Sequence, residues 1–159
     1  MRAIRVYVDN SVFGGAHDAE FQIETRRFFD QVRQGLFVVI VSDLVMQELA
    51  PAPEPVRQVL ASLPGDAVVE VSTEAEAQAL ANAYVQAGVL GAASHTDALH
   101  VALATVAGVD LLLSWNFRHI VNFNRIRGFN SVNVRLGYRT LTILSPLEVG
   151  YENTIEEEV

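Results

Sequence analysis

The stretch SHTDALHVALATVAGVDLLLSWN, residues 94–116, decides the fold class. From about Thr96 to Ala107 it is apolar on nearly every helical face, the pattern of a central, buried helix rather than a surface one. Ser94-x-x-Asp97 reads as a capping box that opens this helix. Asp110 to Ser114 then forms a solid apolar run, which reads as a strand covered on both faces.

The same alternation extends outward in both directions. Ile4 to Val8 is an apolar, β-branched run ending at Asp9, and Leu36 to Val41 is a second one. Ala67 to Val71 and Thr140 to Leu144 complete five predicted strands. Helices are expected over 18–34, from Ser42 to about Ala50, and over 55–63. Another should open at the box Thr73-x-x-Glu76 and run to Gly88, with irregular to helical chain over 117–136. Solid apolar strands alternating with helices predict a three-layer α/β/α sandwich on a mainly parallel five-stranded sheet. The expected organisation is one domain over 1–147 and an acidic C-terminal tail over 148–159.

Composition narrows the function classes. The 159 residues include no cysteine, which removes disulfides, thiol nucleophiles and thiolate metal sites. No apolar stretch reaches membrane-span length and no leader pattern opens the chain, so a soluble, cytoplasmic protein is expected. The net charge is −8, but it is unevenly spread. Residues 111–147 hold five arginines (Arg118, Arg125, Arg127, Arg135, Arg139) and no acid, and the chain has no lysine. Guanidinium forks suit phosphate; a solvated basic face is the plainer reading of the same block.

The acids fall where parallel sheets bind ligands, beyond the carboxyl ends of strands. Asp9 follows the first strand, and Asn116 lies two residues past Ser114 at the end of the fourth. Glu48 shares a helix face with Leu44, Val45 and Leu49, where an unpartnered carboxylate is costly. Asp97 lies in the first turn of the central helix, where a carboxylate also serves as a simple capping acid. Read together, these residues suggest oxygen ligands converging on a hard divalent cation, which takes few carboxylates and keeps waters. Such an ion suits phosphodiester hydrolysis.

The four histidines show no zinc spacing. His100, one helical turn after Asp97, is either a hydrogen-bonded core residue or a partner of Asp97. His119 reads as RNA-facing or structural rather than as a ligand. No G-x-S-x-G supports a serine hydrolase, and the chain lacks the lysine of a phosphate-binding P-loop.

In this order the residues resemble the PIN-domain family, including the VapC-type toxins of toxin–antitoxin pairs. The resemblance rests on YVDNS with Asp9 and Ser11, VSDLVMQEL with Ser42 and Glu48, TDALHVALA with Asp97, and LLLSWN with Ser114 and Asn116. It spans roughly residues 3–146. It implies a Mg²⁺- or Mn²⁺-dependent endoribonuclease, with Asp9 and Asp97 as main metal ligands. Glu48 would ligate through water or orient the attacking water. Asn116 would position a metal-bound water or the scissile phosphate, while Ser11, Ser114 and His100 would support the acids from behind. Arg118, Arg125 and Arg127 are expected to hold the RNA backbone. The resemblance further implies a small antitoxin partner and a homodimer. Asn116 departs from the family pattern, where an aspartate is common; an amide brings an oxygen but no charge. The alternatives are a degenerate PIN-fold module that only binds RNA or a protein, and a metal-dependent phosphatase acting on small phosphoesters.

Overall fold

A computed structural model describes residues 2–149. The predicted acidic tail lies, from residue 150 onward, outside the described residues. Five parallel strands form one sheet in the order β3-β2-β1-β4-β5: β1 is Ile4–Val8, β2 Phe37–Ser42, β3 Val68–Val71, β4 Leu111–Leu113 and β5 Ile143–Leu144. All neighbouring pairs are parallel, with Val6 opposite both Val39 and Leu111. The expected five-stranded parallel sheet is therefore present; β2 and β4 and the end of β1 are as apolar as burial on both faces demands, while edge strand β3, with Glu70, is not buried.

Helices α1 (Asn10–Gly15), α2 (Gln22–Arg33), α3 (Asp43–Leu49) and α4 (Glu54–Ala61) precede β3 in the chain; α5 (Ala75–Gln86), α6 (His95–Ala107) and α7 (Phe123–Arg135) follow it. α1 touches α2, α3 and α4, whereas α5 packs on α6 and α7. Right-handed crossovers place the two groups on opposite faces of the sheet, because strand order runs one way from β1 to β3 and the other way through β4 and β5. The order reverses between β1 and β4, which opens a crevice at the carboxyl ends of those two strands. α6 is the buried helix that its composition predicts, with Ala98 through Ala104 all buried, and it ends on Gly108 in the left-handed conformation (φ +65°).

Three local expectations change. The helix expected over 18–34 begins only at Gln22, and a short helix, α1, precedes it because the Asp9 carboxylate caps it by accepting from the Ser11 amide. The Thr73-x-x-Glu76 box does not form: Thr73 donates its hydroxyl and its amide to Asp43 Oδ1 (2.5 and 3.0 Å), and the helix starts from Glu74. Ser94 occupies the N-cap of α6, but neither it nor Asp97 completes a box, since Asp97 is engaged elsewhere. Ser42 does cap α3, accepting from the Val45 amide at 3.1 Å.

Candidate active site

Asp9 ends β1 at the crevice and is buried at 4 % exposure. Its Oδ1 accepts from the Ser11 hydroxyl (2.5 Å) and amide (3.1 Å), and its Oδ2 accepts from the Ser114 hydroxyl (2.6 Å). Ser114 comes from β4's end, so the two central strands supply the carboxylate and one of its donors. Burial pushes the Asp9 carboxyl above its ordinary range; nearby His100 and the two serines pull against that shift without cancelling it. Both expected serines are thus in place, on Asp9.

Beyond Ser114 the chain turns through Trp115, whose indole donates to Thr25 Oγ1 (2.8 Å) and stacks on Phe21 with ring centroids 4.2 Å apart. Gly15 is required beneath it, since a Cβ there would sit 2.7 Å from the indole nitrogen. This packing fixes Asn116, which uses every polar atom it has. Its amide hydrogen goes to Ser114 Oγ (2.9 Å), its Nδ2 donates to Asp97 Oδ1 (3.1 Å), and its Oδ1 accepts from the His119 amide (3.0 Å). The other oxygen of Asp97, Oδ2, lies 2.9 Å from His119 Nδ1. Asp9 and Asp97 are therefore joined through Ser114 and Asn116. His119, expected to face RNA or to be structural, is instead a direct partner of Asp97.

Glu48 takes a different partner. His100 is 3 % exposed and does not touch Asp97; its Nε2 lies 2.5 Å from Glu48 Oε1. Its Nδ1 meets the Tyr7 hydroxyl at 2.8 Å, which in turn meets the Ser42 hydroxyl at 2.8 Å. Burial holds the Tyr7 phenol far above its usual pKa, so it stays protonated. The geometry then reads as one directed chain: Ser42 donates to Tyr7, Tyr7 to Nδ1, and Nε2–H to Glu48. The alternative of His100 as partner of Asp97 is thus replaced: residues 97 and 100 share a helix, but the imidazole crosses the sheet end to α3. Tyr7 is missed by sequence reasoning; its only signal is a polar tip inside an apolar strand.

Among the described residues, no three or more His, Asp and Glu side chains gather closely enough to hold a metal ion. Asp9, Glu48 and Asp97 do not form such a group: Asp9 and Asp97 are linked through Ser114 and Asn116, and Glu48 pairs separately with His100. The donor chemistry of Asp9 and Asp97 still fits a hydrated Mg²⁺ or Mn²⁺, which needs only one or two carboxylates. Asp9 is a desolvated acid held by uncharged donors; its Oδ1 spends both lone pairs on Ser11, whereas its Oδ2 and both Asp97 oxygens have one partner each and keep a second lone pair.

The basic block lies beside this crevice. Arg118 and Arg127 are exposed, and the Arg125 guanidinium is drawn inward onto the Val89 carbonyl. Among the described residues the arginines paired with carboxylates are Arg2 and Arg33, neither of them in the block. No helix is long and apolar enough to cross a membrane.

The sequence matches no protein-family model and no curated protein. Solved structures do align with it. VapBC2 from Rickettsia felis, bound to a DNA fragment from its promoter, superposes with a TM-score of 0.55 at 11 % identity, covering 89 % of this chain and 98 % of that one. VapC20 from Mycobacterium tuberculosis, a toxin that cleaves the sarcin–ricin loop, gives 0.53 at 17 %, over 72 % and 92 %. A tyrosyl-tRNA synthetase from Aeropyrum pernix gives 0.51 at 13 %, over 89 % of this chain and 51 % of the synthetase. At these identities the likeness concerns the fold, and the fold is the VapC-like PIN-domain fold.

Proposed function

We propose that this protein is a divalent-metal-dependent endoribonuclease of the VapC type, the toxin of a toxin–antitoxin pair. The observation that carries this reading is Asp9: a carboxylate desolvated at the switch point of a parallel sheet, oriented by two serine hydroxyls. Such a group is costly unless a cation arrives. Asp9 and Asp97 would hold Mg²⁺ or Mn²⁺. When bound, the ion supplies an activated water and charge stabilisation for the leaving oxygen.

The chain's own residues do the rest. Ser11 and Ser114 lock the rotamer of Asp9. His100, fixed by Tyr7, holds Glu48 at the rim, where its free oxygen is placed to take a proton from an attacking water. Asn116 positions the Asp97 carboxylate and the scissile phosphate. Of the three expected arginines, the exposed Arg118 and Arg127 attract the RNA backbone, which makes binding salt-sensitive, while Arg125 is turned onto the Val89 carbonyl. A small antitoxin partner, a homodimeric state and a cytoplasmic setting complete the proposal; the Rickettsia felis neighbour, a VapBC assembly on promoter DNA, supports the first of these.

One observation favours a second reading. Both oxygens of Asp97 face nitrogen groups, Asn116 Nδ2 and His119 Nδ1, where a metal site would hold a third acid. That pattern suits a PIN-fold module that binds RNA without cutting it. Labelled RNA incubated with Mn²⁺ or with EDTA separates the two. The nuclease reading expects cleavage only with metal and none in Asp9→Asn; the module reading expects binding and no cleavage in either buffer.

A further inference from the structure

The crevice continues onto the start of α7. The Asn122 side chain caps this helix through the Arg125 amide (3.0 Å) and donates to the carbonyls of Phe117 and Arg118 (both 2.9 Å). It thereby ties α7 to the turn that carries Asn116 and His119. The first helical residue is Phe123, at 72 % exposure the most exposed large apolar side chain among the described residues. One turn on, Arg127 sets its guanidinium carbon 5.4 Å from the Phe123 ring centroid. A cavity of about 510 Å³, lined by Arg118, Asn122, Asn124 and Arg125, opens on the face of α7 turned away from this pair, toward Val89.

A single exposed phenylalanine carries no meaning by itself. Its setting does. The neighbours of Phe123 at the start of α7, Asn122, Asn124 and Arg127, are amide and guanidinium, with Phe117 exposed on the adjoining turn, and the segment has no acid, which favours an anionic partner over an apolar protein face. A flat ring backed by a guanidinium matches the face of a nucleobase, and the exposed Arg118 guanidinium on the preceding turn matches a backbone phosphate.

We propose that Phe123 and Arg127 form a stacking platform for one unpaired nucleobase, with the adjoining phosphate drawn to the exposed Arg118 guanidinium. This subsite rests on RNA being the partner in the proposed function, and it adds a residue that the basic block alone does not indicate. Arg127 stiffens the ring and covers the base's edge, Asn122 sets the platform's position relative to the cleavage centre, and Arg125, spent on the Val89 carbonyl, braces the cavity wall. The platform selects unpaired over duplex RNA, since a paired base has no free face to offer.

The test measures binding by fluorescence anisotropy in EDTA, where no cleavage intervenes, using a labelled single-stranded 12-nucleotide RNA and the duplex made with its complement. Phe123→Ala should weaken the single strand by about 5- to 150-fold, the loss of one base stack. It should leave the duplex unchanged, and Phe123→Trp should restore the single strand. Arg118→Ala should weaken both probes alike. The platform is overturned if Phe123→Ala binds the single strand as wild type does, or loses both probes equally. It is also overturned if the variant changes only the mass in light scattering, which would assign the face to a second copy of the chain. Wild type that binds neither probe would instead overturn the RNA reading itself, and the platform with it. Because Phe123 is exposed, circular dichroism of the alanine variant should match wild type.

Discussion

The two ends of the segment from Ser114 to Arg127 treat charge in opposite ways. At the crevice each of the three candidate carboxylates is answered from within: Asp9 by two hydroxyls, Asp97 by an amide and an imidazole, Glu48 by an imidazole. A few residues on, Arg118 and Arg127 have no carboxylate partner among the described residues. The acids are held in place by the fold, while the arginines are left for an external anion. The acids also differ from one another. Hydroxyls and a backbone amide orient Asp9, whereas Asp97 and Glu48 are each oriented by an imidazole.

The largest effect expected from breaking this arrangement is at Asp9. Asp9→Asn should lower metal-dependent cleavage by about 100-fold or more, since several kcal/mol of charge stabilisation leave with the carboxylate. The same change should stabilise the metal-free protein at neutral pH. The folded pKa of Asp9 is raised, so between the unfolded value of 3.8 and the raised one the native state binds the extra proton. Wild-type stability therefore falls as pH rises through that window, and the asparagine escapes the loss. Thermal melts at pH 4 and pH 7.5 in EDTA read this: the gap between variant and wild type should widen at the higher pH.

Asn116→Asp sharpens the same contrast. It sets a carboxylate where an amide now donates to Asp97, creating like charges that only a cation relieves. Metal affinity should rise by about 10- to 100-fold in calorimetry, with a lower melting temperature in EDTA. An unchanged affinity would place the cation away from Asp97.

His100→Gln tests whether the Tyr7–His100–Glu48 chain holds the rim acid. It leaves the Tyr7 hydroxyl and Glu48 unmatched, which should destabilise the fold by about 1–3 kcal/mol and lower kcat while leaving KM for RNA unchanged. Arg118→Ala tests the opposite end: the slope of log affinity against log salt should drop by about one, uniformly across RNA sequences.

The frame of the molecule was legible because its signals are local. Val6–Val8 and Leu111–Leu113 are apolar runs that no surface strand would carry, and the all-round apolar α6 demands a central place. The positions of Asp9 and Asn116 followed from strand ends, and that of Asp97 from the first turn of the central helix. Pairing between elements was not legible. Ser11 and Ser114 donate to Asp9, which the sequence did not specify; helical spacing left His100 open between a hydrogen-bonded core residue and a partner of Asp97, and the fold buries it against Tyr7 and Glu48. Thr73 and Ser94 sit in patterns that read as capping boxes, yet Thr73 binds Asp43 thirty residues away, and Asp97 is drawn to Asn116 and His119. Tyr7 gave no pattern at all. Each miss is a side chain with a local option that a tertiary partner outcompeted.

The central claim is that Asp9 and Asp97 together hold a catalytic cation despite the amide between them. Calorimetric titration of Mn²⁺ into wild type and Asp97→Asn, with RNA cleavage measured on the same samples, tests it most directly. Saturable binding and cleavage in wild type, both lost in the variant, is the predicted result. No binding by wild type at millimolar Mn²⁺ would contradict it and leave a PIN-fold protein that grips RNA without cutting it.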